Sequence, residues 1–246
     1  SMSGTLDKQV ESDSLFRTLL KKIETKDARV AIFGLGRVGL PLLNLVAERG
    51  FCATGVDTDA SRVQEVGRGR SYIRNVYGQD RMKKWVETGR ISATSDGTSA
   101  ARRSDVCILC VPTPLTLNNI PDLGYLEDTC RILSRGLCPG KLIILESSVY
   151  PGVTDSVVKS ILESTGFRVG QSFWLAHSPE RADFNNPKYR IQDIPKVVGG
   201  IDGPSTELAS RFYELILDAN VVKVSTAKAA ESVKMLENVY RYVNIA

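Results

Sequence analysis

Three glycines and one acid supply the first hint of chemistry in this sequence. Gly34, Gly36 and Gly39 stand in G-x-G-x-x-G spacing within "AIFGLGRVGLPLLNLVAERG", after a short apolar run and ahead of apolar residues spaced three and four apart. Strand, glycines, then helix is the context in which this spacing serves a dinucleotide. Gly34 permits the tight turn, Gly36 lets the backbone approach a pyrophosphate, and Gly39 allows the helix to pack closely on the strand. Arg37 and Val38 lie inside the turn, where free N–H groups at the helix start carry a partial positive charge suited to phosphate. Asp57 ends the next strand 23 residues after Gly34, close to the roughly 20 expected for the carboxylate that holds the adenosine ribose. Its charge repels a 2′-phosphate, so NAD is the expected cofactor. Arg62, five residues further on, can cover the adenosine, answer a 2′-phosphate or simply be an exposed helix arginine.

Two other reactive patterns read as structural. Cys107 and Cys110 form a C-x-x-C in "SDVCILCVPTP", but a redox or metal pair sits on a turn or helix start, whereas this one lies in an apolar run that reads as a buried parallel strand. Residues three apart on a strand face opposite ways, and no metal site is expected. The five cysteines are an odd set without secretory context, which points to reduced thiols. His177 is the only histidine and by type a possible general base, but it is read as a structural or substrate-rim residue.

Such residues need elements to hold them. The runs "RVAIFG", "CATGVD", "RISAT", "DVCILCVP", "KLIILESS", "FWLAHS", "KVVGG" and "NVVKVS" are strand candidates. Between them, "LPLLNLVAERG", "RMKKWVETG", "LEDTCRILSRGL", "TDSVVKSILESTG" and "STELASRFYELIL" carry helical spacing, with Gly50, Gly89 and Gly166 where helices stop. This alternation specifies an α/β fold, a doubly wound parallel sheet of Rossmann-like form with crossover helices on both faces. Ahead of it, "SLFRTLLKKIETKDA" is one amphipathic helix with Leu15, Leu19, Leu20 and Ile23 on its apolar stripe, fit for packing or an oligomer contact. The division expected is 1–27 as a tag remnant, "SMSG", plus this helix, 28–226 as the NAD-binding domain, and 227–246 as the start of a long connecting helix.

At 246 residues, 42% hydrophobic, with a net charge of +4, the chain has ordinary globular composition. No run of about 20 apolar residues or signal-like leader is present in it, and a soluble, cytoplasmic protein without a membrane partner is expected. The basic stretch "GRGRSYIRNVYGQDRMKKW" offers Tyr72, Tyr77 and Trp85 to a nucleic acid. With no RNA-binding motif beside the charges, it is read as a solvated loop and helix face, and no nucleic-acid partner is expected.

The later loops carry a specific likeness. "GLGRVGLP", "VPTP", "ESSVYPG", "SPER", "PKVVGG" and "AAESVKMLENVYRYVNIA" together resemble the N-terminal part of the UDP-glucose/GDP-mannose dehydrogenase family. The long "VPTPLTLNNIPDLGY" loop, "GRSYI", "SPER" and the leading helix are more similar to the UDP-N-acetylglucosamine 6-dehydrogenase subgroup than to the UDP-glucose one. The resemblance implies oxidation of a sugar C6 alcohol to a carboxylate, with two hydrides passed to two NAD molecules through intermediates on an enzyme thiol. It implies that Lys234 and Asn238, four apart and so on one helix face, steady the oxyanion. Glu180 would serve the aldehyde and hydrolysis steps, Ser148 would stand by the nicotinamide and water, and Arg181 would contact the substrate. Val111, Pro112 and Thr113 of "VPTP" would line the cofactor site. Arg37 stands where the family commonly has tyrosine, and "ADFNN" replaces a proline-glycine-asparagine turn, which leaves the exact sugar open among UDP-N-acetylglucosamine, its mannosamine epimer and UDP-glucose.

The family's nucleophile lies in a C-terminal domain, and none of the five cysteines stands in its motif. Because the pattern is unfinished at "VNIA", a fragment is expected that binds NAD and does not complete turnover. The full-length protein is expected to form a homodimer or higher oligomer. Two other readings stay open: a 3-hydroxy-acid or 6-phosphogluconate type dehydrogenase transferring one hydride without a thiol, and a non-enzymatic NAD-sensing module.

Overall fold

The central strands are apolar from end to end because helices cover both faces of the sheet. In the computed structural model, which describes residues 2–180 and 195–234, the strands are β1 (Val30–Phe33), β2 (Ala53–Val56), β3 (Ile91–Thr94), β4 (Val106–Leu109), β5 (Lys141–Leu145), β6 (Phe173–His177), β7 (Lys196–Gly200) and β8 (Val221–Lys223). They form one sheet in the order β3-β2-β1-β4-β5-β6-β7-β8. Each falls within one of the apolar runs marked as strand candidates.

Side chains alternate between faces along a strand, and the core divides accordingly. Val30 and Ile32 of β1 and Val106 and Ile108 of β4 enter one cluster, while Ala31, Phe33, Cys107 and Leu109 enter the other. The first layer is built by α1 (Met2–Glu24), α2 (Gly39–Glu48) and α8 (Gly203–Ile216), with α3 (Ala60–Gly67) and α4 (Met82–Glu87) adding Val66 and Met82. The second is built by α5 (Gly97–Arg103), α6 (Gly124–Gly136) and α7 (Lys159–Glu163) through Ala100, Leu126, Leu133 and Leu162. Leu19 and Ile23 of α1 are fully buried, and each such side chain contributes about 1.5–3 kcal/mol of burial free energy. The stripe on α1 thus packs within its own chain, where Phe16 meets Trp174 edge-on at 5.8 Å.

Several local features depart from the sequence reading. α1 starts at Met2, so residues set apart as a tag remnant form its first turn. α3 and α5 have too few apolar positions to show helical periodicity, and acids hold their starts: Asp59 accepts from the N–H groups of Ser61 and Arg62, and Asp96 from that of Ser99. In "TDSVVKSILESTG", Thr154–Val158 winds as a π-helix before α7 begins. β1 to β6 pair in parallel, but β7 runs antiparallel to β6 and β8 follows β7. The sheet is therefore mostly parallel, with two reversed strands at one edge.

The aromatic residues of the basic stretch pack inward. Tyr72 donates its hydroxyl to the Leu35 carbonyl, Trp85 lies under the Arg90 guanidinium at 4.5 Å, and Arg81 pairs with Glu48 at 2.8 Å. Cys107 faces one core and Cys110 the other, as strand geometry requires. No helix among the described residues is long and apolar enough to cross a membrane.

Candidate functional site

The order β3-β2-β1-β4-β5-β6 reverses direction between β1 and β4, and such a switch point opens a crevice outside the carboxyl ends of the strands. Here the crevice is a cleft of about 810 Å³ whose wall includes Gly34, Gly36, Arg37 and Val38. The three glycines serve three separate needs. Gly34 takes φ +94°, and a Cβ there would lie 2.5 Å from the Cys110 carbonyl oxygen. A Cβ on Gly39 would collide with the Gly34 carbonyl, so α2 can begin against β1 only with glycine there. A Cβ on Gly36 would meet nothing nearer than Arg62 Nη1 at 4.0 Å, so bare backbone faces open cleft at the start of α2. That surface fits a pyrophosphate.

Asp57, at the exit of β2, lines the same cleft. Its Oδ2 accepts from Leu35 N at 2.8 Å and its Oδ1 from Asp59 N at 2.9 Å, which ties the glycine turn to the β2 exit. Arg62 lies 3.5 Å from Asp57 and 3.8 Å from Asp59 and is stacked 5.5 Å from the Tyr72 ring centroid. The β4 exit contributes Val111, Pro112 and Thr113 to the wall. It is stitched to the β5 exit by Thr113 Oγ1, which donates to Ser148 O at 2.6 Å, and by Ser147 Oγ, which donates to Val111 O at 2.7 Å.

At the β5–β6 end of the cleft three predicted residues converge. The Lys234 ammonium, from helical residues 227–234, donates to Ser148 Oγ at 2.7 Å and to Glu180 Oε2 at 3.2 Å. Ser148 and Glu180 both line the cleft. The helix bearing Lys234 is fixed by Glu231, 1% exposed, which accepts from Gly152 N and Thr154 N at 3.1 Å each. Burial raises the Glu231 carboxyl above its ordinary value against the pull of these bonds. Asn238 and Arg181 lie outside the described residues.

His177 sits on β6 beneath this cluster and is 1% exposed. Burial, then the Lys196 and Lys234 charges, lowers its pKa to about 3, so the ring is neutral near pH 7 and is not an imidazolium acid. Burial pushes the Cys107 thiol up to about 12. At the cleft wall, burial and then the Glu146 carboxylate raise the Cys110 thiol well above its usual range, and neither thiol is poised as a thiolate nucleophile.

Sequence reasoning did not single out Glu146, which lines the cleft, or its partners Lys196 and Tyr213. Both charged residues stand inside motifs that carry the family likeness, Glu146 opening "ESSVYPG" and Lys196 second in "PKVVGG", but neither motif states that the two meet, and only the sheet brings them together. A further signal was a glutamate directly after the apolar run of β5 and a lysine at the start of the apolar run of β7.

Residues 28–217 match the profile of the UDP-glucose/GDP-mannose dehydrogenase family, NAD binding domain. The UDP-N-acetyl-D-mannosamine dehydrogenase of Pyrococcus horikoshii is 32% identical over 218 residues, 89% of this chain and 51% of that protein. The UDP-N-acetyl-D-glucosamine 6-dehydrogenase of Pseudomonas aeruginosa is 32% identical over 222 residues, 90% of this chain and 51% of that protein. A solved structure of the P. horikoshii UDP-N-acetylmannosamine dehydrogenase superposes with a TM-score of 0.82 at 32% identity, over 88% of this chain and 51% of that one. The chain spans about half the length of the curated relatives it matches.

Proposed function

We infer, from the premise that this chain belongs to the UDP-glucose/GDP-mannose dehydrogenase family through its NAD binding domain, that the whole protein oxidises the C6 alcohol of a UDP-N-acetylhexosamine to the uronate. The observation that carries this reading is the convergence of Lys234 on Ser148 and Glu180 at one end of a cleft whose other end is the glycine turn and Asp57. A dinucleotide site alone names no reaction. An ammonium held between a hydroxyl and a carboxylate beside that site supplies what alcohol oxidation needs.

NAD, held along the cleft by the glycine turn and Asp57, would supply the hydride acceptor. The chain's own residues do the rest of the work assigned to this half. The backbone at Gly36 takes the pyrophosphate and Asp57 the adenosine ribose hydroxyls, while Thr113 and Ser148 orient the nicotinamide end. Lys234 donates a hydrogen bond to the oxygen that loses its proton, which stabilises negative charge as it develops. Glu180, 3.2 Å from that ammonium, orients it and is in reach to relay a proton. In the same reading Asn238 adds an amide donor, Arg181 meets the sugar nucleotide, residues 28–226 act as the NAD-binding unit, and the working protein is a cytoplasmic homodimer or larger assembly.

UDP-N-acetylglucosamine is the proposed sugar. The mannosamine epimer is the second reading, favoured by the substrate that the P. horikoshii relative's name carries. The test is the yield of NADH per sugar consumed by the full-length protein, with both epimers and UDP-glucose in parallel. Two NADH per sugar support the four-electron reaction, and the sugar with the highest kcat/KM is the substrate. One NADH means a single-hydride dehydrogenase, and none with any sugar leaves an NAD-binding module.

A further inference from the structure

The β5–β6 ladder runs in register to Leu145 and His177, and its last rung is the bond from Ser178 N to Leu145 O at 3.0 Å. Beyond it the two chains must part to open the cleft, yet they carry Ser148 and Glu180, which have to meet at one ammonium. Something other than the ladder must hold them at that separation. The Lys196 ammonium occupies this position. It donates to Glu146 Oε1 at 3.0 Å on the β5 side and reaches the carbonyls of Pro179 at 3.3 Å and Ser178 at 3.5 Å on the β6 side. Glu146 stands two residues before Ser148, and Pro179 one before Glu180. Tyr213 donates its hydroxyl to the other oxygen of Glu146, and its ring lies 4.8 Å from the same ammonium.

The reversal of β7 places Lys196 there. Gly199 pairs with His177 and Gly200 with Ala176 in the antiparallel register, so the first residue of β7 falls beyond the carboxyl end of β6, at the edge where the cleft lies. A parallel strand would bring its last residue to that edge instead. The pair is enclosed, with side chains 10% and 2% exposed, and apolar residues of like volume would fill the space without desolvating two charges. What charges add is direction: three donor positions on one nitrogen, aimed at two diverging chains.

We propose that Lys196, acting through Glu146 and the Ser178 and Pro179 carbonyls, is a positioning residue that sets where Ser148 and Glu180 meet Lys234. This rests on the reading of Lys234 as the donor to the reacting oxygen. Two variants of the full-length protein test it. Lys196→Met/Glu146→Gln removes both charges and keeps an acceptor for Tyr213. Lys196→Arg keeps the charge with a planar fork that cannot aim one nitrogen at all three acceptors. The first readout is the rate of acetylation of Lys234 by trace acetic anhydride, resolved by peptide mass spectrometry. The second is kcat for NADH formation, with the melting temperature measured alongside. The expected result is that each variant melts within a few degrees of the parent, acetylates Lys234 several-fold faster, and loses about 10–100-fold in kcat, the scale of an ångström's misplacement. Parent-like labelling and kcat in whichever variant folds would overturn the proposal and leave an ordinary buried ion pair. If the parent oxidises no nucleotide sugar, the functional reading fails, while the labelling rates still decide whether Lys196 positions Lys234.

Discussion

Gly34 and Gly36 sit two residues apart and are glycine for unrelated reasons, which a single substitution at each separates. Alanine at Gly34 must take φ +94° with its Cβ 2.5 Å from the Cys110 carbonyl, a strain of about 1–3 kcal/mol before any shift of β4. Gly34→Ala should therefore lower the melting temperature plainly. Alanine at Gly36 meets no atom within 4 Å except Arg62 Nη1 at 4.0 Å, so Gly36→Ala should melt with the parent. It should nevertheless weaken NAD binding by about tenfold, or 1.4 kcal/mol, in a calorimetric titration, because the new methyl stands where the pyrophosphate must approach. Parent-like affinity would mean that the pyrophosphate does not lie on this turn. His177 permits a second test at this scale. Its folded pKa of about 3 lies below the ordinary 6.5, so between these values the unfolded chain binds a proton that the folded chain refuses. Stability is complete above pH 6.5 and falls as pH drops toward 3, by up to about 1.4 kcal/mol per unit. His177→Gln should flatten that part of the acid limb in urea titrations, and an unchanged limb would mean that the ring takes its proton without unfolding. Glycine spacing and Asp57 were legible in the sequence because their geometry is local. The Glu146–Lys196 pair was not, since it closes over 50 residues of chain.

At the level of elements, what the sequence displays is apolar periodicity, and what it conceals is direction and winding. β7 reads as a buried strand from "KVVGG", but nothing in those residues states that it runs against β6; the register with Ala176 and His177 does. Likewise "TDSVVKSILE" has helical spacing, and the wider π turn over Thr154–Val158 emerges where the chain leaves the β5 exit and must satisfy Glu231. That carboxylate accepts the Gly152 and Thr154 N–H groups and the Thr154 hydroxyl, so it clamps the helix bearing Lys234 to the loop bearing Ser148. Glu231→Ala strands two backbone donors in a buried place, at a cost of about 1–3 kcal/mol each, and this cost is local. Hydrogen exchange at Gly152 and Thr154 should accelerate by an order of magnitude or more, while amides of β1 and β4 keep parent rates. Acceleration spread evenly over the sheet would show that the clamp belongs to the global fold rather than to the junction between these two elements.

For the whole molecule, the sheet order fixes where a ligand can lie. The switch between β1 and β4 leaves a crevice at the carboxyl ends, and the turn after β1 and the exits of β2, β4, β5 and β6 all contribute to one cleft. Because these loops are already stitched together by Asp57, Thr113 and Ser147, the cofactor end needs little reorganisation, and binding energy should appear as added stability of the folded chain. At a free NAD concentration one hundred times the dissociation constant, that gain is about 2.7 kcal/mol, or about 5–10 °C in melting temperature for a chain of this length. NADP at the same concentration should give a much smaller shift. Its extra phosphate would meet the Asp57 carboxylate, and the guanidinium that could neutralise it is already engaged, since Arg62 lies within ion-pair distance of both Asp57 and Asp59. Equal shifts for the two dinucleotides would show that Arg62 leaves those acids for the 2′-phosphate more cheaply than its contacts with them and with Tyr72 imply. Substituting Arg62→Ala would then restore the preference for NAD.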